Sequence, residues 1–297
     1  MSGWARPEWI IMLKACKDDD TTLLDEAISM IPKEDLKAFY KDASLEATRN
    51  SAIAILNNLI KRGADVRPRW PSHAKGASKE TLELLLAHGW DINARADSPH
   101  NREPFMWEVA RDYDFVKWCL EHGASVHPMG QEPFRDGVTI ISRRECPQVL
   151  EKVARWGSIA TFELLRSQGA PLGWRSLHLA VETATYGRSE EVTDFINHDE
   201  RMAMVHHLLD VVGLNVNAPD QPVGSTVLPM HLGTPICYIP GSAMLERDTR
   251  ELTWLLLDRG ADPTPVLEIA KRDYPKFAED VKAWEAKQGG DCKCCVQ

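Results

Sequence analysis

Residues 82–92 read LELLLAHGWDI, a run of leucines that ends on Gly89 and gives way to a short turn-forming segment. Apolar residues at helical spacing make one face of a helix, and a glycine after the last turn takes the left-handed cap conformation that a side chain would penalise. The stretch therefore predicts a helix that stops at Gly89, where the chain swings out into a turn.

The phrase recurs as LNNLIKRGADV at 56–66, VKWCLEHGASV at 116–126, FELLRSQGAPL at 162–172, VHHLLDVVGLNV at 205–216 and LTWLLLDRGADP at 252–263. Its glycines stand at 63, 89, 123, 169, 213 and 260, so the spacings are 26, 34, 46, 44 and 47 residues. Recurrence on this scale signals stacked units, each covering the apolar face of its neighbour.

Between the phrases lie openings of a second helix: Arg175-Ser176-Leu177-His178-Leu179-Ala180 and Thr234-Pro235-Ile236-Cys237-Tyr238, with weaker copies at Glu103-Pro104-Phe105 and near Cys146-Pro147. With these in place the chain resembles ankyrin-repeat proteins over roughly residues 20 to 285. The style of copies such as LLAHGWDINAR is similar to that of filamentous fungal members. The resemblance implies an all-α fold, a solenoid of about six to seven helix-turn-helix repeats with short β-turn fingers. Against a period of about 33 residues, one spacing is close, one is shorter and three carry insertions.

The organisation follows. Residues 1–33 hold a capping helix pair, Glu8 to Lys17 and Thr22 to Met30, with Asp18 to Thr21 supplying N-cap side chains to the second helix. Residues 34–264 carry the degenerate repeats, beginning with Glu34 to Thr48 and Ala52 to Arg62. Only the 15 residues Arg67 to Thr81 then precede the next glycine-ended helix, which predicts a short or irregular partner helix and a bend. Glu182 to Glu200 and Pro240 to Arg250 are insertions, placed by the resemblance on the side away from the fingers. Residues 265–286 form a C-terminal cap, and 287–297 a flexible cysteine-rich tail after a Gly289-Gly290 break.

Composition fits one soluble domain: of 297 residues, 43% are hydrophobic and 27% charged, enough to bury a core. The apolar run Trp9 to Leu13 is shorter than the ~7–15 residues of a secretory signal or the ~20 of a membrane span. The expected compartment is the cytosol, with the nucleus as the alternative. Cys16, Cys119, Cys146 and Cys237 fall where a cysteine serves as a small buried hydrophobe.

Several function classes are set aside. With 35 basic against 44 acidic residues and a net charge of −9, the chain lacks the concentrated basic face that direct nucleic-acid binding needs. No phosphate loop, dinucleotide fingerprint, HExxH or nucleophile elbow is present, so no enzyme and no cofactor is expected. His88 and His122 stand beside helix-ending glycines, where a basic residue favourably faces the helix C-terminus, and the resemblance implies that His178 is a buried helix-entry histidine. His206 and His207 are adjacent and point about 100° apart on a helix, so no metal pair is expected.

What the resemblance implies instead is an adaptor that holds a client protein on its concave finger and inner-helix face. The alternatives are a transcriptional coregulator acting beside a DNA-binding partner, and an atypical enzyme with a site in the groove. Of ten tryptophans, Trp107, Trp118 and Trp254 take helix core positions, whereas Trp70, Trp90 and Trp174 lie in finger segments expected to face solvent. These three are the candidate client contacts. The competing reading packs each ring on the adjacent finger.

The tail ends Cys294-Cys295-Val296-Gln297, a C-a-a-X pattern that makes Cys294 a candidate for prenylation and Cys292 for a second acyl chain. One lipid gives marginal, reversible attachment, so peripheral membrane association needs the second chain or a membrane partner. A metal-binding tag and a tail without function are the competing readings.

Overall fold

The structure, a computed structural model, describes residues 6–95, 103–127, 146–186, 197–221, 232–241 and 248–291. These residues are helical or irregular, with no strand among them. The chain divides into two compact units, Met1–Val109 with Trp118–Met129, and Ala110–Lys117 with Gly130–Gln297.

The first unit holds α1 (Pro7–Asp18), α2 (Thr21–Ser29), α3 (Leu36–Arg49), α4 (Ile53–Lys61), a 3-10 turn (Pro71–Ala74), α5 (Lys79–Ala87) and α6 (Phe105–Glu108). Helix α7 (Tyr113–Glu121) has residues in both units. The second unit continues with α8 (Val149–Trp156), α9 (Ile159–Ser167), α10 (Ser176–Ala184) and α11 (His198–His206), the last running into a π-helical turn (His207–Val211). A 3-10 turn (Pro235–Cys237), α12 (Tyr238–Gly241), α13 (Arg250–Asp258), α14 (Thr264–Asp273) and α15 (Pro275–Asp291) complete it. Neighbours pair as hairpins, α1 with α2, α3 with α4, α8 with α9 and α14 with α15.

All six glycines that end the repeated phrase lie at positive φ, between 77° and 84°. The residue after each glycine closes a wide turn. Ala64 N–H donates to Leu59, Trp90 to Leu85, Ala124 to Cys119, Ala170 to Leu165 and Ala261 to Leu256, at 2.9–3.1 Å. This bond occupies a carbonyl that the helix end would otherwise leave unmet. The fifth copy differs by one residue: Leu214 N–H reaches Leu208, six positions back, and the extra residue is taken up by the π turn. That turn leaves Val211 66% exposed.

The fingers repeat their own bonds. An acceptor two residues past the glycine receives the amide two further on: Asp65 from Arg67, Asp91 from Asn93, Ser125 from His127, Asn215 from Asn217 and Asp262 from Thr264. Two asparagines then link successive fingers. Asn93 donates to the Gly123 carbonyl and accepts from Ser125 N–H, and Asn217 does the same with Gly260 and Asp262, all at 2.7–2.9 Å.

Two non-glycine residues among those described have positive φ, Asp19 and Ser51, and both serve the next helix pair. Asp19 accepts from the amides of Ala54 and Ile55 at 3.1 and 3.0 Å, capping α4, whose own N-cap is the featureless Ala52. Ser51 accepts from Ser78, which in turn caps α5. Asp20 caps α2 through Thr22 and Leu23, as expected from its position.

The second unit buries carboxylates as braces. Glu151 on α8 is 8% exposed and accepts from Arg175 N–H at 2.8 Å, with the amides of Trp174 and Gln148 also directed at it. Burial nevertheless pushes its carboxyl above the usual range. Asp220 accepts from the amides of Leu232 and Gly233 and from the Tyr238 hydroxyl at 2.7 Å. His178, 1% exposed, faces the Ala218 carbonyl through Nε2 at 3.0 Å, and burial drives its pKa down to about 4. This matches the buried position expected for it.

The partner helix between Arg67 and Thr81, expected to be short or irregular, is a single 3-10 turn, because Pro68 and Pro71 deny the amides and the preceding-residue conformations that a helix needs. One expectation needs correction. At the other end α15 runs through Gly289 and Gly290 to Asp291, so the expected break after Lys287 is absent. The helix is tied to α13 by indole N–H bonds from Trp254 to the Asp280 carbonyl and from Trp284 to Asp258. The central parts of both insertions, 187–196 and 242–247, lie outside the described residues.

Candidate functional site

A groove of about 290 Å³ opens in the first unit between α3 and the finger that follows α4. Lys41, Ser44, Leu45 and Thr48 line it at the i, i+3, i+4 and i+7 spacing of one helical stripe, with Asp42 beside them. Phe39, Ala43 and Ala47 on the same helix are buried at 0–1% exposure, which orients that stripe toward the groove.

The opposite wall is Asp65 to Trp70 and His73. Trp70 precedes Pro71, a position biased to extended backbone, and it is extended with φ −126° and ψ 137°. Val66 and Pro71 are buried and pin this wall, while Trp70 keeps 38% of its surface exposed. Its ring sits 4.9 Å from that of His73, and the Arg69 guanidinium lies 5.8 Å from the ring centre.

Charge in the groove is unevenly committed. Asp65 is held by Arg67 through Nε and Nη2, both at 2.8 Å, and the pair lowers the Asp65 pKa through that hydrogen bond. Lys41 and Arg69 have no ion pair among the described residues. Burial, with Arg49, Arg69 and Lys41 nearby, pushes the His73 pKa below the usual histidine value. Burial raises the Asp42 carboxyl, against the opposing pull of Lys41.

The hydroxyls on the floor are spent locally. Ser44 Oγ donates to the Tyr40 carbonyl at 2.7 Å and Thr48 Oγ1 to the Ser44 carbonyl at 2.8 Å. Neither donates to a base, the arrangement that would activate a nucleophile. The chemistry on offer is an amphipathic ring, the cations Lys41 and Arg69 outside any ion pair among the described residues, and a floor of Leu45 with two hydroxyls already satisfied, which suits recognition.

Of the three tryptophans chosen from the sequence, only Trp70 meets the exposure expected of it. Trp90 is 6% exposed and packs edge-on to Phe105 at 5.2 Å, because its amide bond to Leu85 turns the residue after Gly89 back over the core. The expectation that it faces solvent is overturned. Trp174 is half-buried in the second unit, between Gly173 and the Arg175 amide that Glu151 binds. Cys292 and Cys294 lie outside the described residues.

Other expectations find their places. Trp107 and Trp118 are buried, Trp254 is half-buried, and Cys16, Cys119, Cys146 and Cys237 are all buried thiols. Burial raises the pKa of Cys16 and Cys119 to about 12. His206 and His207 turn to different partners, Asp210 at 3.3 Å and Glu163 at 2.8 Å. Among the described residues no group of three or more His, Cys, Asp or Glu side chains is placed to hold a metal ion. No described helix is long and apolar enough to cross a membrane.

Sequence reading missed Lys41, Asp42 and the rest of the α3 stripe. The signal was present as a polar stripe opposite Phe39, Ala43 and Ala47, but nothing in the sequence says that a finger some 20 residues later closes over it. Compared with known proteins, the chain matches no family model and no curated protein.

Proposed function

We propose that this protein is a non-enzymatic adaptor of the ankyrin-repeat kind that holds a segment of a client protein in the groove between α3 and the Asp65 to Trp70 finger. The observation that carries the reading is Trp70, a large ring left 38% exposed at the edge of a groove in a chain that otherwise buries its finger tryptophans wholly or in part. Aromatic side chains next to arginine are the usual anchors of protein interfaces. The six-fold helix cap and the paired asparagine bridges support the repeat reading, since they recur at equivalent positions of the phrase.

The test is a photo-crosslinking amino acid placed at Trp70 and, as a control, at the exposed Tyr113. A client trapped from Trp70 and not from Tyr113 is expected. Equal trapping from both positions would count against the groove.

The cysteine-rich tail adds a second element to the proposal: lipid attachment at Cys294, with Cys292 as a second acyl site, tethers the adaptor to a membrane surface. A fluorescent fusion at the N-terminus, compared with its Cys294→Ser form, tests this directly. Identical distribution of the two would end the tether reading.

A further inference from the structure

The groove has a preferred charge. Its acidic finger residue Asp65 is neutralised by a two-point bond from Arg67, at 2.8 Å to each oxygen. Lys41 on α3 and Arg69 on the finger face the same space from opposite walls without an ion-pair partner among the described residues, and both are exposed. The remaining acid, Asp42, is half-buried beside Lys41 on α3 and offsets part of the positive charge. Arg49, also near His73, is taken by Glu46 at 2.7 Å, so the uncommitted cations are Lys41 and Arg69.

This balance is a local departure. The chain as a whole carries −9, whereas in the groove lining Lys41, Arg67 and Arg69 outnumber Asp42 and Asp65, which sets the groove against the surrounding field. Burial is the main cause of the low His73 pKa, to which Arg49, Arg69 and Lys41 add and which Glu46 opposes.

Resting on the reading of the groove as a client site, we propose that its occupant is an acidic segment of a partner protein, whose carboxylates meet Lys41 and Arg69 while an apolar neighbour lies on Trp70. Arg69 does two jobs there. Stacked near the Trp70 ring at 5.8 Å, it holds the ring's position and offers its outward N–H groups to a carboxylate. Electrostatic pairing of this kind sets partner choice more than total affinity, so selectivity between charges is the proper readout.

The experiment uses the full chain and two labelled peptides of equal length, one alternating glutamate with leucine and one alternating lysine with leucine, followed by fluorescence anisotropy. The glutamate peptide is expected to bind about tenfold or more tightly than the lysine peptide, and the preference is expected to shrink as salt screens it. Lys41→Glu with Arg69→Glu is expected to abolish or invert the preference, and Lys41→Gln with Arg69→Gln to flatten it without adding like charge. Both pairs change exposed side chains, and circular dichroism checks that each variant is folded.

Equal affinity for both peptides, or a glutamate preference that survives both double variants, would overturn the proposal. Preference for the lysine peptide, lost in Trp70→Ala, would overturn the acidic assignment and leave the groove reading standing. Binding of either peptide that is indifferent to Trp70→Ala would remove the groove reading as well. Concentration-dependent self-association blocked by Lys41→Glu with Arg69→Glu would assign the groove to a second copy of this acidic chain instead.

Discussion

Gly169 and Gly173 bracket one finger, and both have positive φ, 84° and 71°. An alanine at Gly169 would meet nothing within 4 Å, so Gly169→Ala bears only the left-handed backbone cost of about 1–2 kcal/mol. An alanine at Gly173 bears that cost and drives its Cβ into Glu151 Oε1, 2.7 Å from Glu151 Cγ. The carboxyl cannot swing away cheaply. It is 8% exposed and gripped by Arg175 N–H at 2.8 Å, so moving it strands a buried acceptor and a helix-start donor, about 1–3 kcal/mol more. Gly173→Ala is therefore expected to cost about 2–5 kcal/mol against about 1–2 for Gly169→Ala. Urea unfolding at neutral pH, followed by far-ultraviolet circular dichroism, measures both. In a Glu151→Ala background the collision is gone, and the Gly173→Ala cost should fall to that of Gly169→Ala, a coupling of about 1–3 kcal/mol. Equal costs for the two glycines in the wild-type background, or strict additivity with Glu151→Ala, would refute the account of Glu151 as the brace of this finger.

Three more outcomes follow from the same physics. Trp90→Ala, which empties a buried site against Phe105, should destabilise by about 3–5 kcal/mol, whereas Trp70→Ala at the groove edge should cost less than about 1; comparable losses in denaturant midpoint would contradict the burial difference. His178 is held neutral, its pKa lowered from 6.5 to about 4, so the folded form resists the proton that the unfolded chain accepts. Stability should be full above pH 6.5 and fall by about 3 kcal/mol as pH drops through 6.5 to about 4, and His178→Gln should flatten that slope. Deleting Val211, 66% exposed in the π turn, restores the five-residue cap spacing of the other copies and should leave the melting temperature unchanged or raised; a loss above about 2 kcal/mol would show that the bulge is needed.

How far the sequence could be read depended on the range of the interaction. The glycine caps were legible because a left-handed residue after an apolar helix is a local steric matter, settled within six residues. The Asp20 cap of α2 was legible for the same reason. The cap of α4 was not, since Asp19 lies 35 residues before Ala54 and meets it only when two hairpins stack. The groove divided along the same line. Trp70 could be picked from the sequence because it stands beside arginines in the turn-forming stretch Arg67-Pro68-Arg69-Trp70-Pro71. Trp90 was misjudged because its position after a glycine says where the backbone turns, while Phe105 and the bond to Leu85 decide which way the ring goes.

By itself, then, the sequence determined a recurrent helix, where each copy stops, that short polar turns follow, and that Cys16, Cys119, Cys146 and Cys237, with Trp107 and Trp118, belong inside. These are properties of neighbouring residues, set by backbone sterics and apolar spacing. The tertiary structure alone decided that Lys41 and Arg69 share a groove, that Glu151 braces the Gly173 finger, and that Trp90 packs against Phe105. Each of those joins residues 15 or more positions apart, and such contacts are chosen by the packing of whole helix pairs.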